Sequence, residues 1–148
     1  GRKPNSLKSL FLTPGVLEAH NWKLAAKFAK IEKREVRFEE YWCNNAPYIV
    51  VSYGTCARIA KEAVDRARKE GLNIGLFRPI SLWPFPYRDV GAFIKNAKKI
   101  LVVEMNLGQM IDDIKIAAAN SSARLFFYGR PGGGVPDPDE IYKEIKKK

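Results

Sequence analysis

The residues able to do chemistry in this chain are few, and they cluster at the ends of apolar runs. Arg78 follows Ile74 to Phe77, Glu104 and Asn106 follow Ile100 to Val103, and Arg130 follows Leu125 to Tyr128. Arg78, Glu104 and Asn106 could line a small-molecule site, or they could form a polar crest that pairs internally or docks on a partner. Unlike charges at adjacent strand ends more often pair than catalyse, so the second reading is adopted. The usual nucleophilic sets are missing. His20 is the only histidine and lies far from the strand ends, which leaves no Cys/His or Ser/His/Asp arrangement. Cys43 and Cys56 stand 13 positions apart, too few for a four-cysteine zinc site, and are read as reduced thiols. No catalytic or metal-ligating residue is therefore assigned.

The glycine-rich run Gly129-Arg130-Pro131-Gly132-Gly133-Gly134 could present backbone N–H groups to a phosphate. No Gly-Lys-Ser/Thr follows it, however. Asp137, Asp139 and Glu140 crowd the start of the next helix and would repel an anion there. A turn or an interface loop fits better. Tyr53-Gly54-Thr55 is a strand-to-helix turn in which one glycine carries little nucleotide-binding information. Trp83-Pro84-Phe85-Pro86 sets two aromatics on a proline-stiffened segment, which serves either as a cap on the core or as a contact for a partner.

The elements that must position these residues alternate. Gly1 to Pro14 is polar and aperiodic, a linker or cut end, and residues 15–148 form the domain. From Gly15 a long helix carries Leu17, Leu24, Phe28 and Ile31 on one stripe, with Lys23, Lys27, Lys30 and Lys33 flanking it. Such a stripe needs a surface to lie on. Val36 to Trp42 is either a continuation of that helix or an edge strand. Tyr48 to Tyr53 reads as a strand buried on both faces. Thr55 is the expected N-cap of the next helix, whose apolar face holds Cys56, Ile59, Ala60, Ala63, Val64 and Ala67 and which stops near Gly71. Strands are expected at Asn73 to Phe77, Lys99 to Glu104 and Arg124 to Tyr128. An extended crossover is expected over Arg78 to Pro86. A helix is marked by Val90, Phe93, Ile94 and Ala97, and another opens at Gly108 with Met110, Ile111, Ile114 and Ala118 facing inward. Asp137-Pro138-Asp139-Glu140 signals the start of the last helix. Strands alternating with helices imply an α/β fold: a mostly parallel sheet between two helical layers.

Charge and length exclude other classes. The 148 residues suit one domain, and 46% are hydrophobic, enough for a core. No apolar run approaches the ~20 residues that span a bilayer, and no secretory signal pattern opens the sequence. A membrane role is not expected, and a cytoplasmic location is. The net charge of +10 suggests nucleic acid, but its distribution does not. Residues 1–37 have a net charge of +6 and the last six residues +3, so residues 38–142 are nearly neutral. Nucleic-acid binding is accordingly not expected. A module that binds an anionic ligand through its basic ends is the alternative reading.

Four runs carry a resemblance: Tyr53-Gly54-Thr55-Cys56-Ala57-Arg58, Gly75-Leu76-Phe77-Arg78-Pro79 through Pro86, Val102-Val103-Glu104-Met105-Asn106-Leu107-Gly108-Gln109-Met110, and Tyr128-Gly129-Arg130-Pro131-Gly132-Gly133. In order and spacing they resemble the α subunit of 2-oxoacid:ferredoxin oxidoreductases. The upstream segment Leu17 to Tyr41, with Ile31-Glu32 and Val36-Arg37-Phe38-Glu39-Glu40-Tyr41, is similar to the branch that uses branched-chain 2-oxoacids such as 2-oxoisovalerate. The resemblance implies a three-layer α/β/α domain like the C-terminal domain of transketolase, preceded in the intact subunit by a pyrimidine-binding domain. It also implies a holoenzyme that holds thiamine diphosphate, magnesium and iron–sulfur clusters, uses coenzyme A, and passes electrons to ferredoxin. None of these cofactors is expected on this chain, because two cysteines cannot ligate the clusters and the thiamine sites lie elsewhere. The implied role is assembly with the other subunits and the N-terminal domain, and the chain alone is expected to be inactive. The expected contact residues are Arg78, Trp83, Phe85, Glu104, Asn106, Gln109 and Arg130.

Overall fold

The computed structural model describes residues 1–5 and 10–147. Two compact units divide at Glu35 and Val36. The first contains helix α1 (Val16–Arg34), which groups with the leading segment. The second contains β1 (Phe38–Tyr41), β2 (Tyr48–Ser52), α2 (Gly54–Lys69), β3 (Ile74–Pro79), α3 (Tyr87–Ile94), β4 (Lys99–Glu104), α4 (Met110–Ala117), β5 (Arg124–Gly129) and α5 (Pro138–Lys147).

Within the second unit the strands form one sheet of order β1-β3-β2-β4-β5. The pairs β2–β3, β2–β4 and β4–β5 are parallel, and β1 runs antiparallel to β3. Alternation along the strands sorts side chains between two cores. Ile49, Val51, Phe77, Ile100 and Val102 face α3 and α4, with Val90, Ile94, Met110 and Ile114 packed on them. Val50, Leu76, Leu101 and Val103 face α2 and α5, meeting Ala60, Val64, Ile141 and Ile145. Both faces of the sheet are covered, which is why β2 and β4 read as continuous apolar runs rather than alternating ones. The expected three-layer, mostly parallel α/β/α fold is present.

Several boundaries differ from the sequence reading, each for a local reason. Phe38 to Tyr41 is an edge strand, not a helical continuation, and its pairing with Leu76 to Pro79 draws Arg78 and Pro79 into β3. Thr55 is not the cap of α2. The helix starts two residues earlier, at Gly54, and Tyr53 in extended conformation holds the cap position without a side-chain bond. Gly108 does not open α4. It lies in the preceding loop with φ +105°, a conformation that favours glycine. The stop near Gly71 has Schellman geometry: Leu72 N–H donates to Ala67 O at 3.1 Å and Gly71 N–H to Arg68 O at 2.9 Å. At α5, Asp137 and Glu140 form a reciprocal cap. Asp139 N–H donates to Asp137 Oδ1 at 2.7 Å, and Asp137 N–H to Glu140 Oε2 at 3.1 Å.

Candidate functional site

The parallel strands β2 to β5 all deliver their carboxyl ends to one side of the sheet, the place where open α/β sheets usually bind ligands. Glu104, the last residue of β4, lies on the α3/α4 side at the start of α4 and is fully buried. Its carboxylate accepts four hydrogen bonds. Met110 N–H (2.9 Å), Gln109 N–H (3.3 Å) and Asn106 Nδ2 (3.0 Å) donate to Oε2, and Ile111 N–H (3.0 Å) donates to Oε1. These backbone donors are the ones that the first turn of a helix leaves unpaired, and the helix end favours the negative charge. Glu104 therefore serves as a side-chain cap supplied by the preceding strand.

Asn106 links this cap to its neighbours. Its Nδ2 also donates to Tyr53 Oη at 3.2 Å, and its Oδ1 accepts from Gly108 N–H at 2.7 Å. Burial and then the nearby Glu104 charge push the Tyr53 hydroxyl pKa up, and the same two causes in the same order raise that of the Cys56 thiol. Neither group is poised to lose a proton near neutrality. Gly129 closes the arrangement: a Cβ there would stand 2.5 Å from Asn106 O and 2.6 Å from the Phe127 ring. Only glycine lets the loops after β4 and β5 approach this closely.

The other expected residues are distributed differently. Arg78 does not pair with Glu104. It lies opposite Glu39 in the β1–β3 ladder and donates from Nη1 to Glu39 Oε2 at 2.9 Å. Arg130 donates to Glu140 Oε1 at 2.6 Å, while Tyr128 Oη donates to Glu140 Oε2 at 2.8 Å, so the glycine-rich loop is fastened to the start of α5. Gln109 is exposed beyond its backbone bond to Glu104. The two readings of the Trp83 segment divide between its residues. Pro84, Phe85 and Pro86 are buried, with Phe85 edge-on to Tyr87 at 5.0 Å, whereas Trp83 is 57% exposed.

Beyond the expected Trp83, the crest carries exposed apolar side chains that the sequence reading did not name as contacts. Ile80 and Leu82, like Trp83, are exposed after β3, Leu107 after β4 and Val135 after β5. Leu107 is 83% exposed. The signal for it was present in the sequence: large apolar residues inside loop segments, where neither strand nor helix periodicity claims them.

The described residues offer no ligand set for a metal ion or an iron–sulfur cluster of the kind the resemblance implies. Among the described residues no group of three His, Cys, Asp or Glu side chains could hold a metal ion. Cys43 and Cys56 are free and buried, and they belong to cores on opposite faces of the sheet. Burial pushes the Cys43 thiol up to about 11. Asp137 and Glu140 already cap the N-terminus of α5, next to the glycine-rich loop, and would repel a phosphate there.

The model for pyruvate:ferredoxin oxidoreductase core domain II matches residues 46–141. The chain belongs to this family. It is 38% identical over 143 residues to the ketoisovalerate oxidoreductase subunit VorB of Methanothermobacter thermautotrophicus, covering 97% of this chain and 40% of that protein. It is 33% identical over 123 residues to the 2-oxoglutarate synthase subunit KorA of Methanothermobacter marburgensis, covering 83% of this chain and 32% of that protein. Its fold matches the 2-oxoglutarate:ferredoxin oxidoreductase of Magnetococcus marinus with a TM-score of 0.74 at 24% identity, over 93% of this chain and 24% of that one. The chain spans about two fifths of the length of the VorB relative and about a third of that of the KorA relative. These relatives are subunits of 2-oxoacid oxidoreductases, as the four sequence runs implied, and they lend no support to an anionic-ligand module. Among the described residues no helix is long and apolar enough to cross a membrane.

Proposed function

We propose that this chain is an assembly domain of a thiamine-diphosphate-dependent 2-oxoacid:ferredoxin oxidoreductase, with 2-oxoisovalerate as the substrate of the whole enzyme. The name and 38% identity of the VorB relative support that choice of substrate. In the holoenzyme, thiamine diphosphate with magnesium, iron–sulfur clusters and coenzyme A carry the decarboxylation, electron transfer to ferredoxin and acyl transfer. Other subunits and the rest of this subunit hold them.

One observation carries the reading. At the carboxyl ends of the strands the charged groups are consumed internally, as Glu104 on α4, Arg78 on Glu39 and Arg130 on Glu140, while Ile80, Leu82, Trp83, Leu107 and Val135 are exposed. A crest whose charged candidates are engaged within the fold while apolar side chains are exposed suits a docking surface. The contact surface is formed by Trp83 and Leu107, with Gln109 and the outer edges of Asn106, Arg78 and Arg130 as a polar rim. Phe85 and Glu104 hold it from beneath.

The test is 2-oxoisovalerate-dependent reduction of a viologen dye by the chain alone and by the chain combined with the rest of its subunit and the remaining subunits. Activity is expected only in the combination. Turnover by the chain alone would overturn the proposal.

A further inference from the structure

The sheet of the second unit has two edges, and they are built differently. The β1 edge is four residues long and carries Glu39 and Glu40, the short, charged form that keeps an edge free of other strands. The β5 edge is six residues long. Its register with β4 runs unbroken from Arg124 to Gly129, so no bulge interrupts it. Between those ends, Leu125-Phe126-Phe127-Tyr128 holds no charge and no proline. Along this stretch β5 lacks the devices that guard an edge.

The ladder fixes which backbone groups the edge leaves over. Arg124 N–H donates to Lys98 O at 2.9 Å, and Arg130 N–H donates to Glu104 O at 3.0 Å. Bonding residues alternate along a parallel strand, so Arg124, Phe126, Tyr128 and Arg130 bond towards β4. Leu125, Phe127 and Gly129 point their N–H and C=O groups the other way, where these groups have no partner among the described residues. An extended strand is what satisfies such a row.

The sequence of β5 is its own complement. When Phe127 faces Phe127 of an antiparallel copy, Leu125 falls opposite Gly129, a large side chain against none, and these are the hydrogen-bonded pairs. On the other face Phe126 falls opposite Tyr128, an aromatic cross-strand pair. Arg124 falls opposite Arg130, whose charge Glu140 already meets at 2.6 Å. The match is two-fold, the commonest symmetry by which identical chains associate.

We propose that β5 pairs with β5 of a second copy of this chain, antiparallel about a two-fold axis at Phe127, so that one sheet runs through both copies. The contact is separate from the crest and does not rest on the assembly reading, which concerns different subunits.

The experiment places Arg124→Cys/Arg130→Cys in the chain, both free and co-expressed with the rest of the oxidoreductase, and oxidises it mildly with diamide. The two positions form a pair without hydrogen bonds, with Cα atoms about 4.5 Å apart, a separation a disulfide can bridge. Most of the double variant is expected to run as a covalent dimer without reductant. Arg124→Cys alone should stay monomeric, because its own copy lies at the far end of the strand. Amide hydrogen exchange is read beside it. The Phe127 and Gly129 amides should exchange slowly in the wild type and about tenfold faster or more in Leu125→Pro, a change that removes an outward N–H and no bond to β4. If Leu125→Pro does not fold, the cysteine pair still decides. Linking in neither the complex nor the free chain would overturn the proposal. Slow exchange at Phe127 and Gly129 without linking would overturn it too, because it assigns the edge to a strand of another subunit.

Discussion

The segments that follow β4 and β3 occupy the same end of the sheet and use their residues in opposite ways. After β4 the polar atoms turn inward: Glu104 and Asn106 bind three backbone N–H groups of the next helix turn, the N–H of Gly108 and the Tyr53 hydroxyl. At the end of β3 the only charged candidate, Arg78, pairs sideways with Glu39, and beyond it Ile80, Leu82 and Trp83 are exposed while Pro84, Phe85 and Pro86 are buried. The difference teaches that residues with catalytic chemistry can serve the scaffold, while plain apolar loop residues carry the surface a partner would meet.

Glu104→Ala breaks the first half of this comparison most severely. It leaves several buried donors unpaired and should cost about 3–5 kcal/mol in urea unfolding. Glu104→Gln keeps one acceptor and should cost about half as much. A loss below about 1 kcal/mol for the alanine variant would mean that the carboxylate does not hold the junction.

Cys43 comes next. Its thiol is pushed up to about 11 from an ordinary 9.0, chiefly by burial. Protonated thiol favours the folded state, so this contribution is complete below about pH 9 and lost as pH rises towards 11. It amounts to about 2–3 kcal/mol at most. The wild type should lose stability more steeply across that window than Cys43→Ala, and equal slopes would contradict the assignment. Gly129→Ala should cost about 2 kcal/mol, because its Cβ would meet Asn106 O and the Phe127 ring.

The smallest effects belong to the other segment. Arg78→Ala removes a partly exposed pair and should change stability by less than about 1 kcal/mol. Trp83→Ser should do the same while weakening assembly. A large loss of stability from Trp83→Ser would move this side chain from the surface to the scaffold.

Much of the body was legible because periodicity reports burial. Lys99 to Glu104 reads directly as β4, and Cys56 to Ala67 as the inner face of α2. The reading stayed open where long-range pairing decides. Nothing local in Phe38 to Tyr41 tells a strand from a helix, and only the ladder with β3 settles it. The candidate site was half legible. The residues at the strand ends could be named, but their partners could not. Glu39 is 39 positions from Arg78, and the donors to Glu104 lie on a helix whose start the sequence placed two residues early.

The most direct test of the assembly role is incorporation of Trp83→Glu/Leu107→Glu into the co-expressed oxidoreductase, read by native mass spectrometry beside the urea transition of the free chain. The double variant should unfold at nearly the wild-type urea concentration yet be almost absent from the complex. Incorporation at the wild-type level would contradict the claim that the crest joins this chain to the rest of the enzyme.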